Sequence, residues 1–439
     1  MNIVMFTNTF RPHVGGVAHS VSWLAESLRG AGHDVLVVAP EFSGSTGDEA
    51  GVMRIPAVQN FRGSDFSVPI PLTRSLDQAL ADFGPDLVHS HHPFLLGDAA
   101  LRASASFDIP IVYTYHTRYE LYGHYVAQDA PALQRLVLSL ALGYCDLCDT
   151  VIAPSRSMAN FLIEHGVKTP VSVIPTGIEI ARFEGGNGRR ARAAAGIPRD
   201  AFVVGHVGRL APEKNLDYLA QAMRRFLSVE KEAHFLVVGD GPMRAPMKQL
   251  FAAHGLAGRV HLPGAREGDR LAALYAAMDV FVFSSHSETQ GLVLAEAMAA
   301  GVPVVALDAF GAREVVRDRL NGRLLPADSP EQRFAEAVHW VSGLQIGERR
   351  KLRRAARHTA ALFSRQRALA RTLDLYGSLV SAQARFRTVE EGPWQTARRR
   401  LEQEWKILRN VAHAVGDAVL PEPATAELEE ESPLPAGPS

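Results

Sequence analysis

Short apolar runs alternate with longer stretches of helical periodicity along most of this chain. Ile3–Phe6, Val35–Ala39, Leu87–Ser90, Ile111–Tyr115, Thr150–Ala153 and Val171–Ile174 form one series of candidate strands. Val203–Val207, His234–Val238, Val260–Leu262, Val280–Phe283 and Val304–Ala306 form a second. These runs are continuous and rich in β-branched residues, and helical segments bound them, so they predict two parallel sheets covered on both faces. Apolar spacing predicts helices at Ala18–Ala31, Arg156–His165, Asn215–Leu227, Arg270–Met278 and Leu292–Ala300.

The seam between the two α/β units falls near Pro175–Gly188, where Gly185-Gly186-Asn187-Gly188 reads as a linker. Residues 1–178 then form the first unit and 179–362 the second. Glu348–Val380 reads as helix that closes the second unit, and 363–385 as a helix returning to the first. In the extension 386–420, Trp394, Leu401, Leu408 and Val415 stand one heptad apart with Trp405, Ala412 and Val419 beside them. Arg398, Arg399, Arg400, Lys406 and Arg409 supply cations, so this stretch is either an interfacial anchor or a helix packed on the body or a partner. The Pro-, Glu- and Ala-rich residues 421–439 lack core-forming side chains and are expected to be disordered.

At 439 residues the chain exceeds one ordinary core, and 47% apolar with 21% charged residues is a soluble globular composition. A net charge of −1 argues against a general nucleic-acid binder. Two cysteines give no disulfide framework and fit a reducing compartment. Met1–Phe6 reads as a buried strand rather than a signal peptide, and Leu136–Leu142 is too short to span a bilayer. The expectation is a cytoplasmic protein that touches a membrane, if at all, only at its surface.

Candidate chemistry concentrates at strand ends. Glu288 and Glu296 stand eight positions apart around Gly291, which opens an Ala-rich helix. Helical geometry puts one carboxylate in the loop and the other a turn or more into the helix. Gln290, Gly291 and Leu292 leave unpaired N–H groups at the positive helix end, which suits an anion. Acceptor-only carboxylates beside anion-binding amides suit a molecule with both hydroxyls and phosphate, such as a sugar nucleotide. Arg209 and Lys214 follow the strand Val203–Val207, where a parallel sheet presents its ligand crevice; they are either diphosphate donors or solvated surface charges. Gly15-Gly16 follows the first strand and is either a close-approach site or a turn, and it matches neither the P-loop nor the dinucleotide glycine motif. His116 lies just past Ile111–Tyr115, in a run containing Tyr119 and Glu120 that could line an acceptor pocket. His89-Ser90-His91-His92 lacks a placed carboxylate for metal, and Cys145-Asp146-Leu147-Cys148 precedes a strand instead of following one, so both read as structural.

Together these residues resemble the retaining glycosyltransferases of family 4. The resemblance covers about residues 1–380 and rests on Gly15-Gly16, His116, Ala153-Pro154-Ser155, Ile174-Pro175-Thr176-Gly177-Ile178, Val207-Gly208-Arg209, Glu213-Lys214-Asn215, Val238-Gly239-Asp240-Gly241-Pro242 and the Glu288/Glu296 pair. It implies the GT-B fold, in which two Rossmann-like domains face a central cleft. It also implies that Glu296 accepts from the ribose and that Arg209 and Lys214 clamp the diphosphate. Glu288, with the Gln290–Leu292 amides, would hold the sugar and phosphate, Gly15, Gly16 and Gly241 would approach the donor, and His116 would reach the sugar from the opposite domain. Such enzymes work without a metal or separate cofactor, the donor being a UDP- or GDP-sugar.

The run from Tyr115 to Tyr125, including Tyr119 and Glu120, looks like the acceptor segment of diacylglycerol glucosyltransferases, relatives of phosphatidylinositol mannosyltransferases. The expected activity is retaining transfer of a hexose to a hydroxyl of a membrane glycolipid, by front-face displacement. The alternatives are a sugar-nucleotide epimerase or hydrolase of the same fold, a mannosyltransferase acting on a phospholipid or polysaccharide, and a noncatalytic sensor of sugar nucleotides.

Overall fold

The computed structural model describes residues 1–13, 15–42, 49–58, 68–69, 73–118, 131–286, 288–386 and 393–419. The first lobe holds strands β1 (Asn2–Phe6), β2 (Asp34–Pro40), β3 (Val52–Ile55), β4 (Ala57–Val58), β5 (Val68–Pro69), β6 (Leu87–Ser90), β7 (Ile111–Thr114), β8 (Thr150–Ala153) and β9 (Val171–Val173). Its helices are α1 (Gly16–Gly30), α2 (Thr73–Phe83), α3 (Leu96–Phe107), α4 (Pro131–Cys145) and α5 (Arg156–Glu164). Seven strands make one sheet in the order β3-β2-β1-β6-β7-β8-β9, with every pair parallel; β4 and β5 pair antiparallel on their own.

The second lobe contains α6 (Ile180–Glu184), α7 (Gly188–Ala194), β10 (Phe202–Val207), α8 (Leu216–Val229), β11 (Ala233–Val238), α9 (Arg244–Ala253), β12 (Val260–Gly264) and α10 (Gly268–Ala276). It continues through β13 (Val280–Phe283), α11 (Leu292–Ala299), β14 (Val304–Leu307), α12 (Ala312–Val315), β15 (Gly322–Leu325), α13 (Glu331–Ser342) and α14 (Ile346–Ala361). Its six strands are parallel in the order β12-β11-β10-β13-β14-β15. All eleven strands expected from the apolar runs are present. The two longer ones that the pattern did not reveal, β3 and β15, are edge strands interrupted by Arg54 and Arg323. A strand with one covered face does not need an unbroken apolar run.

Two expectations are corrected. The Glu348–Val380 stretch is not one helix closing the second unit, because it breaks at Leu362-Phe363-Ser364 between α14 and α15 (Arg365–Phe386). At the break the Phe363 carbonyl accepts from Ile178 N at 2.8 Å, and Arg365 N donates to Ile178 O at 3.1 Å. These bonds tie the returning chain to the outgoing one, and α15 then packs Ala368 and Tyr376 into the first lobe's core beside Ile3, Met5 and Val21. The Gly185–Gly188 stretch is not a free linker either. A Cβ on Gly186 would come 2.4 Å from Ala272 O, and one on Gly188 2.2 Å from Ala276 O, so these glycines let the chain lie against α10. Gly runs read as linkers when the backbone freedom is visible in sequence and the tertiary neighbour is not.

The extension forms α16 (Pro393–Val419), which packs on α3 and α4. Arg102 Nε donates to Glu404 at 2.5 Å, Ser139 to Asp417 at 2.6 Å, and Asn410 to Leu140 O at 3.3 Å. The tail 421–439 lies outside the described residues.

Gly188→Ala should force α7 and α10 apart and cost roughly 1–3 kcal/mol, the usual range for overpacking a tight contact. A urea midpoint unchanged from wild type would show that the contact relaxes without cost.

Candidate active site

The loop after β10 bends at Gly208, φ 157°, and passes through Arg209 into a 3-10 turn at Pro212–Lys214. Asn215, φ 55°, is the left-handed residue that turns this loop into α8. The loop is fixed from two sides. Leu210 N donates to Asp240 O at 2.8 Å and Met243 N to Leu210 O at 2.9 Å, which joins it to the loop after β11. Ser284 Oγ donates to the carbonyls of Lys214 and Asn215 at 3.2 and 3.0 Å, which joins it to the loop after β13. Gly239 and Gly241, at φ 148° and 147°, allow the first of these contacts: a Cβ there would lie 1.9 Å from Gly208 O and 2.4 Å from Leu210 O. Gly241 was expected at the ligand, but its lack of a side chain is taken up by this backbone contact.

Each cation here has an acid beside it. Lys214 Nζ lies 2.6 Å from Glu288 Oε1, both side chains being largely buried, and Arg209 pairs with Glu213 while remaining half exposed. The two cations expected at a diphosphate thus each rest against a carboxylate. Behind them His206 on β10 contacts Val282 O through Nδ1 at 3.0 Å, and burial pushes its pKa down to about 4. His206 is neutral and was missed from sequence because it is one polar residue inside an apolar strand.

A cleft of about 870 Å³ lies between the lobes. Arg209, Lys214, Gly239 and Asp240 line its second-lobe wall; Thr9, His13, Gly15, Gly16 and Thr117 line the other. Four sequence-predicted residues, Gly15, Gly16, Arg209 and Lys214, therefore share one cavity, with Glu288 attached through Lys214. Arg266, just beyond the end of β12, also lines it. It was not singled out, although any loop leaving the carboxyl end of a parallel strand is a candidate lining segment.

The other predicted residues that the structure describes, Gly241, Glu288, Gln290, Gly291, Leu292, Glu296 and His116, do not line this cavity. Gln290 is buried, and its side chain is committed: Oε1 accepts from Thr176 N and Nε2 donates to Thr176 O, both at 2.8 Å. It holds the crossover between lobes, so only its backbone is left for a ligand. Gly291 (φ 73°) and Leu292 begin α11, with Gly311 packed over Gln290 and Gly291. Glu296, in the second turn of α11, accepts from Tyr275 Oη at 2.8 Å. Burial pushes its pKa up to about 7, while the Tyr275 hydrogen bond and Arg365 pull the other way.

His116 contacts His91 Nδ1 through Nε2 at 3.0 Å, and burial lowers its pKa to about 4. Among the described residues His91 Nε2 meets no partner, which favours a lone pair there and the proton on Nδ1, since an orphaned N–H is the costlier vacancy. His91 then donates to His116, which carries its own proton on Nδ1. The run His89–His92 is thus a buried scaffold. His89 meets Thr114 Oγ1 at 2.7 Å and Tyr376 Oη at 2.5 Å, which ties β6 to β7 and α15. Among the described residues no group of three His, Cys, Asp or Glu is placed to hold a metal. Cys145 and Cys148 are buried free thiols with pKa pushed up by burial. Tyr119 and Glu120 lie outside the described residues.

The sequence profile described as Glycosyltransferase Family 4 matches residues 14–182, and that described as Glycosyl transferases group 1 matches 188–359. A GDP-mannose-dependent alpha-mannosyltransferase of Mycobacterium tuberculosis is 32% identical over 365 residues, covering 82% of this chain and 92% of that one. The chain belongs to glycosyltransferase family 4. An alpha-monoglucosyldiacylglycerol synthase of Streptococcus pneumoniae is 30% identical over 374 residues, covering 80% and 84%. Anabaena Alr3699/HepE, solved with UDP, superposes with a TM-score of 0.70 at 23% identity over 86% of this chain and all of that one, which supports the GT-B fold. The family 4 enzyme described here is a glycosyltransferase whose cleft lies where the two sheets' carboxyl ends meet.

Glu296 gives a pH test. A carboxylate whose folded pKa is raised holds its proton more tightly when folded, so its contribution is present below about pH 4.5 and lost as pH rises through about 7. Relative to Glu296→Gln, the unliganded wild type should lose up to ~3 kcal/mol across that window. Parallel stability curves for the two proteins would remove Glu296 from the buried set.

Proposed function

We propose that this glycosyltransferase moves a hexose from a GDP- or UDP-sugar, with retention and without a metal, to a hydroxyl of a membrane glycolipid. The observation that carries the donor half is the cleft in which Arg209 and Lys214 face Gly15 and Gly16 across the lobes. The two cations supply the charge that a departing diphosphate needs, and the glycines leave room for its backbone approach. On donor binding, the phosphates replace Glu288 and Glu213 as partners of Lys214 and Arg209, which releases Glu288 toward the sugar. Glu296 accepts from the ribose hydroxyls, a role that favours its ionised form, so donor affinity rises with pH through about 7.

His116, neutral and held by His91, presents Nδ1–H to the sugar from the first lobe. Front-face displacement follows: the glycosidic C–O bond to phosphate breaks while the acceptor oxygen attacks from the same face, and its proton passes to the leaving phosphate. The acceptor half rests on the relatives, which include a diacylglycerol glycolipid synthase and mannosyltransferases. A lipid acceptor calls for an enzyme that works from the membrane surface, and among the described residues no helix is long and apolar enough to cross a membrane.

Lys214→Ala and Arg209→Ala should each cost about 2–4 kcal/mol in kcat/KM, as for other preorganised donors. Full turnover of a labelled donor in either variant would take that cation out of the diphosphate site. Rapid donor consumption with no acceptor present would instead favour a hydrolase or epimerase.

A further inference from the structure

Helix α16 has two working faces. Gln403, Ile407, Ala414 and Ala418 are buried against α3 and α4. On the far side Trp394, Leu401, Trp405, Leu408 and Val415 stand between 48% and 87% exposed. Six of the twelve large apolar side chains exposed among the described residues belong to this one helix, counting Val411. At about 100° per residue the five form a continuous outward stripe, well separated from the buried set. The helix therefore does not expose these residues for lack of a packing face, because it already has another.

We infer that this outward face is a docking surface for an anionic lipid bilayer, with α16 lying in the interface. Three observations select that occupant. The helix carries five cations and three acids; Arg398 pairs with Glu402, Arg399 with Asp108, Arg400 with Asp77 and Glu404 with Arg102, so the cations left to meet an anionic surface are Lys406 and Arg409. Arg409 flanks the stripe, and with Lys406, Arg135 and Lys168 it lines a groove between α16 and α4 in which these four cations outnumber the two acids, Asp146 and Asp417, which leaves room for lipid phosphate at the edge of the apolar face. The two tryptophans suit the boundary between headgroups and acyl chains.

A second copy of the chain fits less well. Pairing two such stripes about a twofold axis would bring Arg409 toward its own copy, while Glu402 on the same edge already pairs with Arg398 at 2.7 Å. The C-terminal end of α16 lies by the first turns of α4, where Arg135 donates to Ala418 O at 3.2 Å. The docked face thus extends along the lobe that carries His116. The surface is argued independently of the acceptor, but it deepens the lipid reading and takes its purpose from it.

The test is co-sedimentation of the full chain with vesicles of phosphatidylcholine alone or with one part in three phosphatidylglycerol. Wild type should bind the anionic vesicles, more weakly as salt rises. L401E/W405E/L408E should lower partitioning by roughly 100-fold, because the apolar insertion is gone. K406E/R409E should lower it by roughly 10-fold or more, and only for anionic vesicles. Both variants should keep the wild-type melting temperature and transfer to a detergent-dispersed acceptor. Wild-type-like vesicle binding by the triple variant, or no binding by wild type, overturns the proposal. So does a wild-type dimer that the triple variant dissociates while vesicle binding persists, which would make the face a contact between copies. Vesicle binding that behaves as expected while wild type glycosylates no lipid leaves the docking intact and removes the acceptor assignment.

Discussion

Everything at the cleft depends on a double crossing of the chain between lobes. Residues Thr176–Ile178 run out of the first lobe, and Phe363–Arg365 run back beside them, joined by the Ile178–Phe363 and Arg365–Ile178 hydrogen bonds. Gly177 has no room for a side chain, since a Cβ would sit 2.4 Å from the Arg365 Cα. Gln290 grips Thr176 through both amide atoms, so the loop bearing Glu288 is fixed to the crossing itself. These two paired chain segments form the joint between lobes that each keep their own core.

Further contacts close the lobes away from that joint. Ser155 caps α5 through Met158 N and donates to Thr289 O at 2.7 Å, and Ser157 N and Oγ both reach Glu314 Oε1 at 2.7 Å. A second-lobe carboxylate thereby satisfies the N-terminus of a first-lobe helix. Arg118 sits over Phe310 at 4.5 Å and donates to His286 O at 3.4 Å. Among the described residues these inter-lobe contacts are polar or cation–π, with Phe310 also packed on the first lobe's core.

The charged groups at the cleft and on α11 follow one pattern. Each group expected at the donor has a partner within the protein: Lys214 has Glu288, Arg209 has Glu213 and Glu296 has Tyr275. For the largely buried Lys214 a bare charge would be costly, and Glu288 answers it. The histidines follow the opposite rule. His89, His91, His92 and His116 are all kept neutral by burial, which makes them hydrogen-bonding scaffold rather than charge.

The strands, the alternation of the fold and most of the cleft-lining loops were legible in order along the chain. A doubly covered parallel strand must be continuously apolar, and ligand-contacting residues must follow its carboxyl end. Arg209, Lys214 and Gly15-Gly16 could be found that way. The partners could not: Gln290 on Thr176, Tyr275 on Glu296, His91 on His116, or Gly188 against α10. Each joins residues that are distant in sequence or whose spacing carries no periodic signal. Heptad spacing in α16 likewise announced an amphipathic helix. Only the packed structure decided which face turns inward, because small residues at Ala414 and Ala418 and the opening at Gly143 let it approach α4 by its polar side. Local pattern determines what each segment must be, whereas close packing between segments determines which of its groups remain available.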